Sequence, residues 1–257
     1  MKNRTNVDGA FTLVEMLTVI AIIGILAAML LVVLAGARKQ ALKVEARLQI
    51  NDIVTAIQQY GLAYGGRFPI SNNAGLRGGT YGGWLQTPTG VPAPVFSVSA
   101  PDLIPFTNSE VIAILMDLTN FPGTPTPSSN TNHMSNPQQT AFLNAKMSGW
   151  NASQGGDPQP GVGSDLMYRD PWGDPYIITF SDAFDNCCWD SFYCLTSVSG
   201  GGLNGLVQNT NYNSWEDWVY PGNPGNVMVW SAGPDKMVDL KVPANQGANK
   251  DNILSWQ

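Results

Sequence analysis

Residues 10–37, AFTLVEMLTVIAIIGILAAMLLVVLAGA, form an apolar run interrupted by one charge, Glu15. The 22 uncharged positions from 16 to 37 would span about 33 Å as a helix at roughly 1.5 Å per residue, enough to cross a bilayer. A carboxylate near the start of such a segment costs at least a few kcal/mol in hydrocarbon, so it marks a functional position that needs a cationic partner. A newly exposed α-amino group is the nearest group of the right charge.

The segment ahead of the run, MKNRTNVDGA, is short and polar, carries Lys2 and Arg4, and ends in the small residues Gly9 and Ala10. In an ordinary secretory signal the small residues follow the apolar stretch and cleavage removes it. Here they precede it, so cleavage would leave the hydrophobic helix as an anchor on the mature chain. Lys2 and Arg4 favour a cytoplasmic N-terminus, and Arg38, Lys39 and Lys43 on the other side oppose that bias.

Phe11-Thr12-Leu13-Val14-Glu15, with the basic leader before it, resembles the class III signal of type IV pilins and type II secretion pseudopilins. The resemblance implies that prepilin peptidase cuts before the F-T-L-x-E segment and that the new N-terminus is methylated. Cutting between Ala10 and Phe11 makes Glu15 fifth and Gly24 fourteenth, in the family's register, whereas cutting after Gly9 shifts all three out of it. The resemblance further implies that Glu15 neutralises the Phe11 ammonium of a neighbouring subunit, which removes two unpaired charges from an apolar filament core and fixes axial register. The alternative is a signal anchor whose Glu15 lies among headgroups. The conjunction of motif, leader and small residue argues against it. One departure is Val32, where many members carry proline eight residues after the glycine matched by Gly24; Gly24 and Gly36 still weaken the helix by up to about 1 kcal/mol each.

Beyond Arg38 the apolar positions Leu42, Ala46, Ile50, Ile53, Ile57, Tyr60 and Tyr64 recur at intervals of three and four, an amphipathic stripe. No proline occurs between residues 11 and 68, and Gly65-Gly66 before Phe68-Pro69 supplies the stop, so one helix of about fifty residues is predicted. The expected organisation is a leader (1–10), a membrane and filament-core helix (11–37), an amphipathic half (38–68) and an exported domain (69–257). Within that domain, 71–165 is a loop-rich insertion with a short helix near Val111–Met116 and a Gly-Thr-Pro-rich stretch, 123–129, that is either an O-glycosylation site or a solvated loop. Residues 166–257 supply the strands and the C-terminal loop.

The chain of 257 residues is only 12% charged, with 27 Gly and 18 Pro. Removing the leader, which carries Lys2, Arg4 and Asp8, takes the formal charge from −6 to −7. No basic face expected of a nucleic-acid binder is present, and no repeat of 20 to 50 residues is evident. Enzyme chemistry finds little support: there is one histidine, His133, and no G-x-S-x-G, H-E-x-x-H or phosphate-loop motif.

Asp170-Pro171-Trp172-Gly173-Asp174-Pro175-Tyr176 is similar to the D-P-W-G-x-P-Y motif of major pseudopilins. Its prolines and glycine predict a turn, with Trp172 over the core and a strand from Tyr176 to Phe180. Further strands are expected at Phe192–Ser197 and Asn226–Trp230. The segment Trp230-Ser231-Ala232-Gly233-Pro234-Asp235, followed by Asp251-Asn252-Ile253-Leu254-Ser255-Trp256, is similar to the pseudopilin calcium loop. The resemblance implies a calcium site at Asp235, Asp251 and Asn252, since that ion takes six to eight oxygens. Against it, Lys236 stands for a glycine, Asn252 for an aspartate, and Lys241 and Lys250 lie in the connection. The alternative is an ion-free loop held by Trp230, Trp256 and turn hydrogen bonds. Cys187, Cys188 and Cys194 predict one disulfide, Cys194 with Cys187 or Cys188, in an exported setting. A zinc site with His133 is the weaker reading.

The resulting expectation is an α+β, type IV pilin-like fold: a long N-terminal helix whose second half packs on a small antiparallel sheet. The implied function is that of a filament subunit, not an enzyme, with prepilin peptidase, identical or homologous pilin subunits and an inner-membrane assembly platform as partners. It would lie in the inner membrane as precursor and in a periplasmic or extracellular filament after assembly. A secretion pseudopilin and a surface pilus subunit both remain open.

Overall fold

The computed structural model describes residues 13–70, 79–85, 87–88, 93–94, 107–180, 187–208, 218–221 and 227–257. Its first element is helix α1, Leu13–Ala63. Two glycines end it as expected, Gly65 at φ +67° and Gly66 at φ +84°. The Gly66 amide returns to the Gly61 carbonyl at 2.7 Å, satisfying an otherwise orphaned acceptor at the helix end. The chain divides into two units, Met1–Leu42 and Lys43–Gln257. In the first, every residue from Leu13 to Leu30 is exposed.

The second unit contains strands β1 (Gly79–Tyr81), β2 (Trp84–Leu85) and β3 (Ala93–Pro94), helix α2 (Ser109–Leu115), and strands β4 (Gly161–Val162), β5 (Tyr168–Arg169), β6 (Ile177–Phe180) and β7 (Cys187–Cys188). A four-residue helix α3 (Thr196–Ser199) follows, then β8 (Val207–Gln208), β9 (Trp218–Pro221), β10 (Val227–Ser231) and β11 (Ile253–Leu254). The central sheet has the order β1-β6-β10-β11 and all its pairings are antiparallel. Small pairs β2-β3 and β4-β5 and a three-stranded sheet β7-β9-β8 surround it.

Side chains alternate across a strand, and here both faces of the central sheet are covered. Ile178, Phe180, Val227 and Val229 join the cluster built on Ala46, Ile50, Ile53, Ile57 and Tyr60 of α1 and on α2. Ile177, Met228 and Trp230 face the opposite cluster, with Phe192, Tyr193, Val198 and Leu254. That double burial explains why β6 and β10 read as nearly continuous apolar runs. The predicted stripe of α1 is the buried one, and the Tyr176 hydroxyl donates to Gln49 Oε1 at 2.6 Å, tying helix to sheet.

The insertion is more than surface loop. Its helix α2 lies in the core, with Val111 to Leu115 fully buried. Just before α2, Asn108 is buried too: its amide donates to the Tyr168 and Tyr176 carbonyls and accepts from the Tyr168 amide. Farther along, the Tyr60 hydroxyl donates to the Ser135 carbonyl, the Tyr64 hydroxyl to Asn136 Oδ1, and Gln138 Nε2 to the Ala63 carbonyl. The insertion thereby caps the C-terminal end of α1.

The expected strand at Phe192–Ser197 is not formed. Ser191 to Cys194 make turns, with the Cys194 amide on the Asp190 carbonyl at 2.8 Å, and α3 follows after an extended Leu195. The cause is Asp190, fully buried, which accepts from Thr179 Oγ1, Trp230 Nε1 and the amides of Phe192 and Tyr193. A carboxylate that captures the amides two and three residues ahead curls the chain instead of extending it.

Candidate functional site

The N-terminal site is built on α1. Leu13–Leu30 has a mean hydropathy of 2.6 with none of it buried, long and apolar enough to cross a membrane. Glu15 occupies the first turn and is exposed, and its backbone carbonyl accepts from the Thr18 hydroxyl at 2.9 Å. Gly24 and Gly36 have nothing within 4 Å of where a Cβ would stand. Ala10 and Phe11, the processing residues expected from the sequence, lie outside the described residues.

Residues 6–31 match the family described as the prokaryotic N-terminal methylation motif. The chain carries a prepilin signal. This type IV pilin-like signal implies processing by prepilin peptidase and assembly with pilin subunits, and together with the apolar helix it fits a membrane-anchored precursor. The α+β arrangement of α1 and the antiparallel sheet is that of a pilin-like fold. No curated protein and no solved structure matches the chain.

A second site joins the two C-terminal motifs. In the Asp170–Tyr176 turn, Asp170 is fully buried; its Oδ1 accepts from the Trp172 and Asp174 amides at 2.9 and 3.0 Å. Its Oδ2 accepts from the Ser231 hydroxyl, whose oxygen accepts the Gly233 amide at 3.0 Å. A buried hydrogen-bond chain therefore runs from the turn into the loop that follows β10. Burial pushes Asp170 up to about 6, opposed by those hydrogen bonds. It pushes Asp174 up to about 7, helped by the charge of Asp170 and opposed by Lys236 and Arg169. Lys236 thus acts on Asp174. Trp172 packs against the core as expected.

The antiparallel register Trp230↔Leu254 and Ser231↔Ile253 brings the helical turns Gly233–Asp235 and Gly247–Asp251 together. Gly233 sits at φ +78°, and a Cβ there would collide with the Asp251 carbonyl oxygen. Asp235 Oδ1 accepts from the Met237 amide at 3.1 Å. Partial burial raises the Asp235 pKa, with Asp251 adding to the rise and the Met237 bond and Lys250 opposing it. Asp251 Oδ1 and Asn252 Oδ1 are buried and have no hydrogen-bond partner among the described residues, while Asn252 Nδ2 donates to the Tyr193 hydroxyl at 2.9 Å. Asn249 pins the connection, accepting from the Asp239 amide and donating to the carbonyls of Asp239 and Val242. Sequence reasoning did not single out Asn249, Asp170 as a buried hub, or Asp190. The only local signal was an Asp two residues before a turn, as in Asp170-Pro-Trp and Asp190-Ser-Phe.

Two of the three cysteines of the expected staple are described. Cys188 and Cys194 are buried, with Cys188 Sγ 3.4 Å from the Thr179 carbonyl oxygen and Cys194 Sγ 3.4 Å from the Ser191 carbonyl oxygen. The Cys187 side chain lies outside the described residues. His133 is held in the insertion by Asp117, Nδ1 to Oδ1 at 2.7 Å, and the same Oδ1 accepts from Asn130 Nδ2. Among the described residues no group of three or more His, Cys, Asp or Glu is placed to hold a metal ion.

Proposed function

We propose that the chain is a pseudopilin of a type II secretion apparatus, cut between Ala10 and Phe11, methylated on Phe11, and polymerised through α1 with Glu15 compensating the Phe11 ammonium of its neighbour. The observation that carries the pseudopilin reading is the Asp170–Ser231–Gly233 hydrogen-bond chain, because it fuses the two motifs resembling pseudopilins into one folded unit. The role is structural, and His133 with Asp117 serves to fasten the insertion.

Calcium belongs to this proposal. Asp251 Oδ1 and Asn252 Oδ1, buried without a partner among the described residues, fit a hard cation. The small carboxylate set means that amide, backbone and water oxygens would complete the shell, which suits calcium and not zinc. When bound, the ion would supply charge neutralisation for Asp235 and Asp251. The protein's own part is to bring the turns that carry Asp235 and Asp251 together through the β10-β11 register and Gly233.

A major subunit of a surface pilus is the second reading, favoured by the Gly-, Asn- and Thr-rich insertion. Deleting the gene and assaying secretion, together with electron microscopy of shed surface material, separates the two. Lost secretion without loss of long fibres supports the pseudopilin; lost fibres with normal secretion overturns it.

A further inference from the structure

A cleft of about 510 Å³ opens on the insertion, lined by residues between 146 and 160. That volume falls in the range of roughly 300–1,000 Å³ common to small-molecule sites. Its lining includes Lys146, Ser148, Trp150, Asn151, Gln154 and Gln159. The backbone carrying the first of these is fixed beside β4: the Ser148 amide donates to the Val162 carbonyl at 2.7 Å, and the Val162 amide to the Lys146 carbonyl at 2.9 Å. Trp150 is held as firmly. Its Nε1 donates to the Gly156 carbonyl at 3.3 Å, and the Arg169 guanidinium covers one ring face, 4.5 Å from the centroid. Arg169 is buried and bonded to both Asp165 carboxylate oxygens, so its charge is neutralised within the protein and its part is to seat the indole. With one face taken by Arg169, the ring offers the other to an occupant.

The amides of the cleft are oriented by their own bonds. Asn151 Oδ1 accepts from the Ser153 amide and the Ser164 hydroxyl, at 2.9 and 3.3 Å, which leaves its Nδ2 as a donor with no partner among the described residues. Gln159 Nε2 donates to the Asp157 carbonyl at 3.1 Å and leaves Oε1 as an acceptor. Gln154, exposed, adds a donor and an acceptor together. Ser148 Oγ is buried without a partner among the described residues, an exception to the rule that buried polar atoms are hydrogen-bonded. Lys146 is the one charged residue in the described lining. A lone lysine among neutral amides is a poor site for a phosphate-bearing ligand, and a single aromatic ring is too little apolar surface for a lipid chain. A hydroxyl group both donates and accepts, so it pairs with an amide of either sense. A sugar ring adds an apolar face of C–H bonds that can lie on an indole. We propose that the cleft binds a neutral pyranose of an oligosaccharide, stacked on Trp150 and hydrogen-bonded by Asn151 Nδ2, Gln154 and Gln159 Oε1. Every residue named belongs to the unit Lys43–Gln257, so the inference stands apart from the filament reading.

The test uses the full chain in a detergent without a sugar headgroup, its tryptophans replaced by 5-fluorotryptophan and the Trp150 fluorine resonance assigned through Trp150→Phe. Maltotriose, cellotriose and triacetylchitotriose are titrated in, with trialanine and inorganic phosphate as the competing ligand classes. At least one trisaccharide should shift the Trp150 resonance saturably at millimolar concentration while the other tryptophans stay in place. Asn151→Asp keeps the acceptor used by Ser153 and Ser164 and removes the donor, and should weaken binding at least fivefold. Gln154→Ala alters an exposed side chain and should weaken it comparably with an unchanged melting temperature. No saturable shift with any trisaccharide, a stronger response to trialanine or phosphate, or binding undiminished in both variants overturns the inference and leaves the filament reading intact.

Discussion

The proposed pairing of Glu15 with the Phe11 ammonium separates membrane insertion from subunit assembly. An apolar replacement lowers the cost of burying the segment, so Glu15→Ala should be inserted and cleaved normally while incorporation into filaments falls at least several-fold. Comparing cleaved monomer with sedimentable filament measures this, and normal yield would remove the Phe11–Glu15 pairing. At the other end of the chain, Gly233 combines a positive φ with close approach to the Asp251 carbonyl. Gly233→Ala should destabilise the soluble unit by on the order of 2 kcal/mol, read as a lower denaturant midpoint. Trp230, fully buried and bonded to Asp190, is the deeper anchor: Trp230→Ala should cost about 3 to 5 kcal/mol.

The Asp170–Tyr176 turn makes a prediction about pH. Burial raises Asp170 from 3.8 to about 6 in the folded chain, so between those values the folded state holds the proton more tightly than the unfolded state. The associated stability is present below about pH 4 and is lost as pH rises through about 6. At roughly 1.4 kcal/mol per pKa unit, urea unfolding should show about 2 to 3 kcal/mol less stability at pH 7 than at pH 4 from this group, and Asp170→Asn should flatten the slope. The elements read correctly from sequence were those with local signals: the three-and-four stripe of α1 and its Gly65-Gly66 stop, α2, and the apolar runs of β6 and β10. The Phe192–Ser197 strand failed because Asp190 takes its bonds from Thr179 and Trp230, residues remote in sequence. The pairing of β1 with β6 and the core position of α2 likewise depend on partners about 70 to 100 residues away.

For the whole molecule, the calcium proposal predicts stabilisation of unit Lys43–Gln257 by RT ln(1 + [L]/Kd). With an affinity of about 0.1 to 1 mM, as in extracellular modules, the melting temperature should rise in millimolar calcium and not in magnesium, and Asp235→Ala should abolish the rise. An unchanged melting temperature would assign the loop's shape to Asn249, Trp230 and Trp256 alone. A prepilin signal of this kind requires that the N-terminal helix be kept after processing and displayed for assembly. N-terminal mass spectrometry of the chain from its native membranes or filaments tests this most directly. The mature chain is expected to begin with N-methylated Phe11; an intact leader, or cleavage after the apolar run, would overturn the reading.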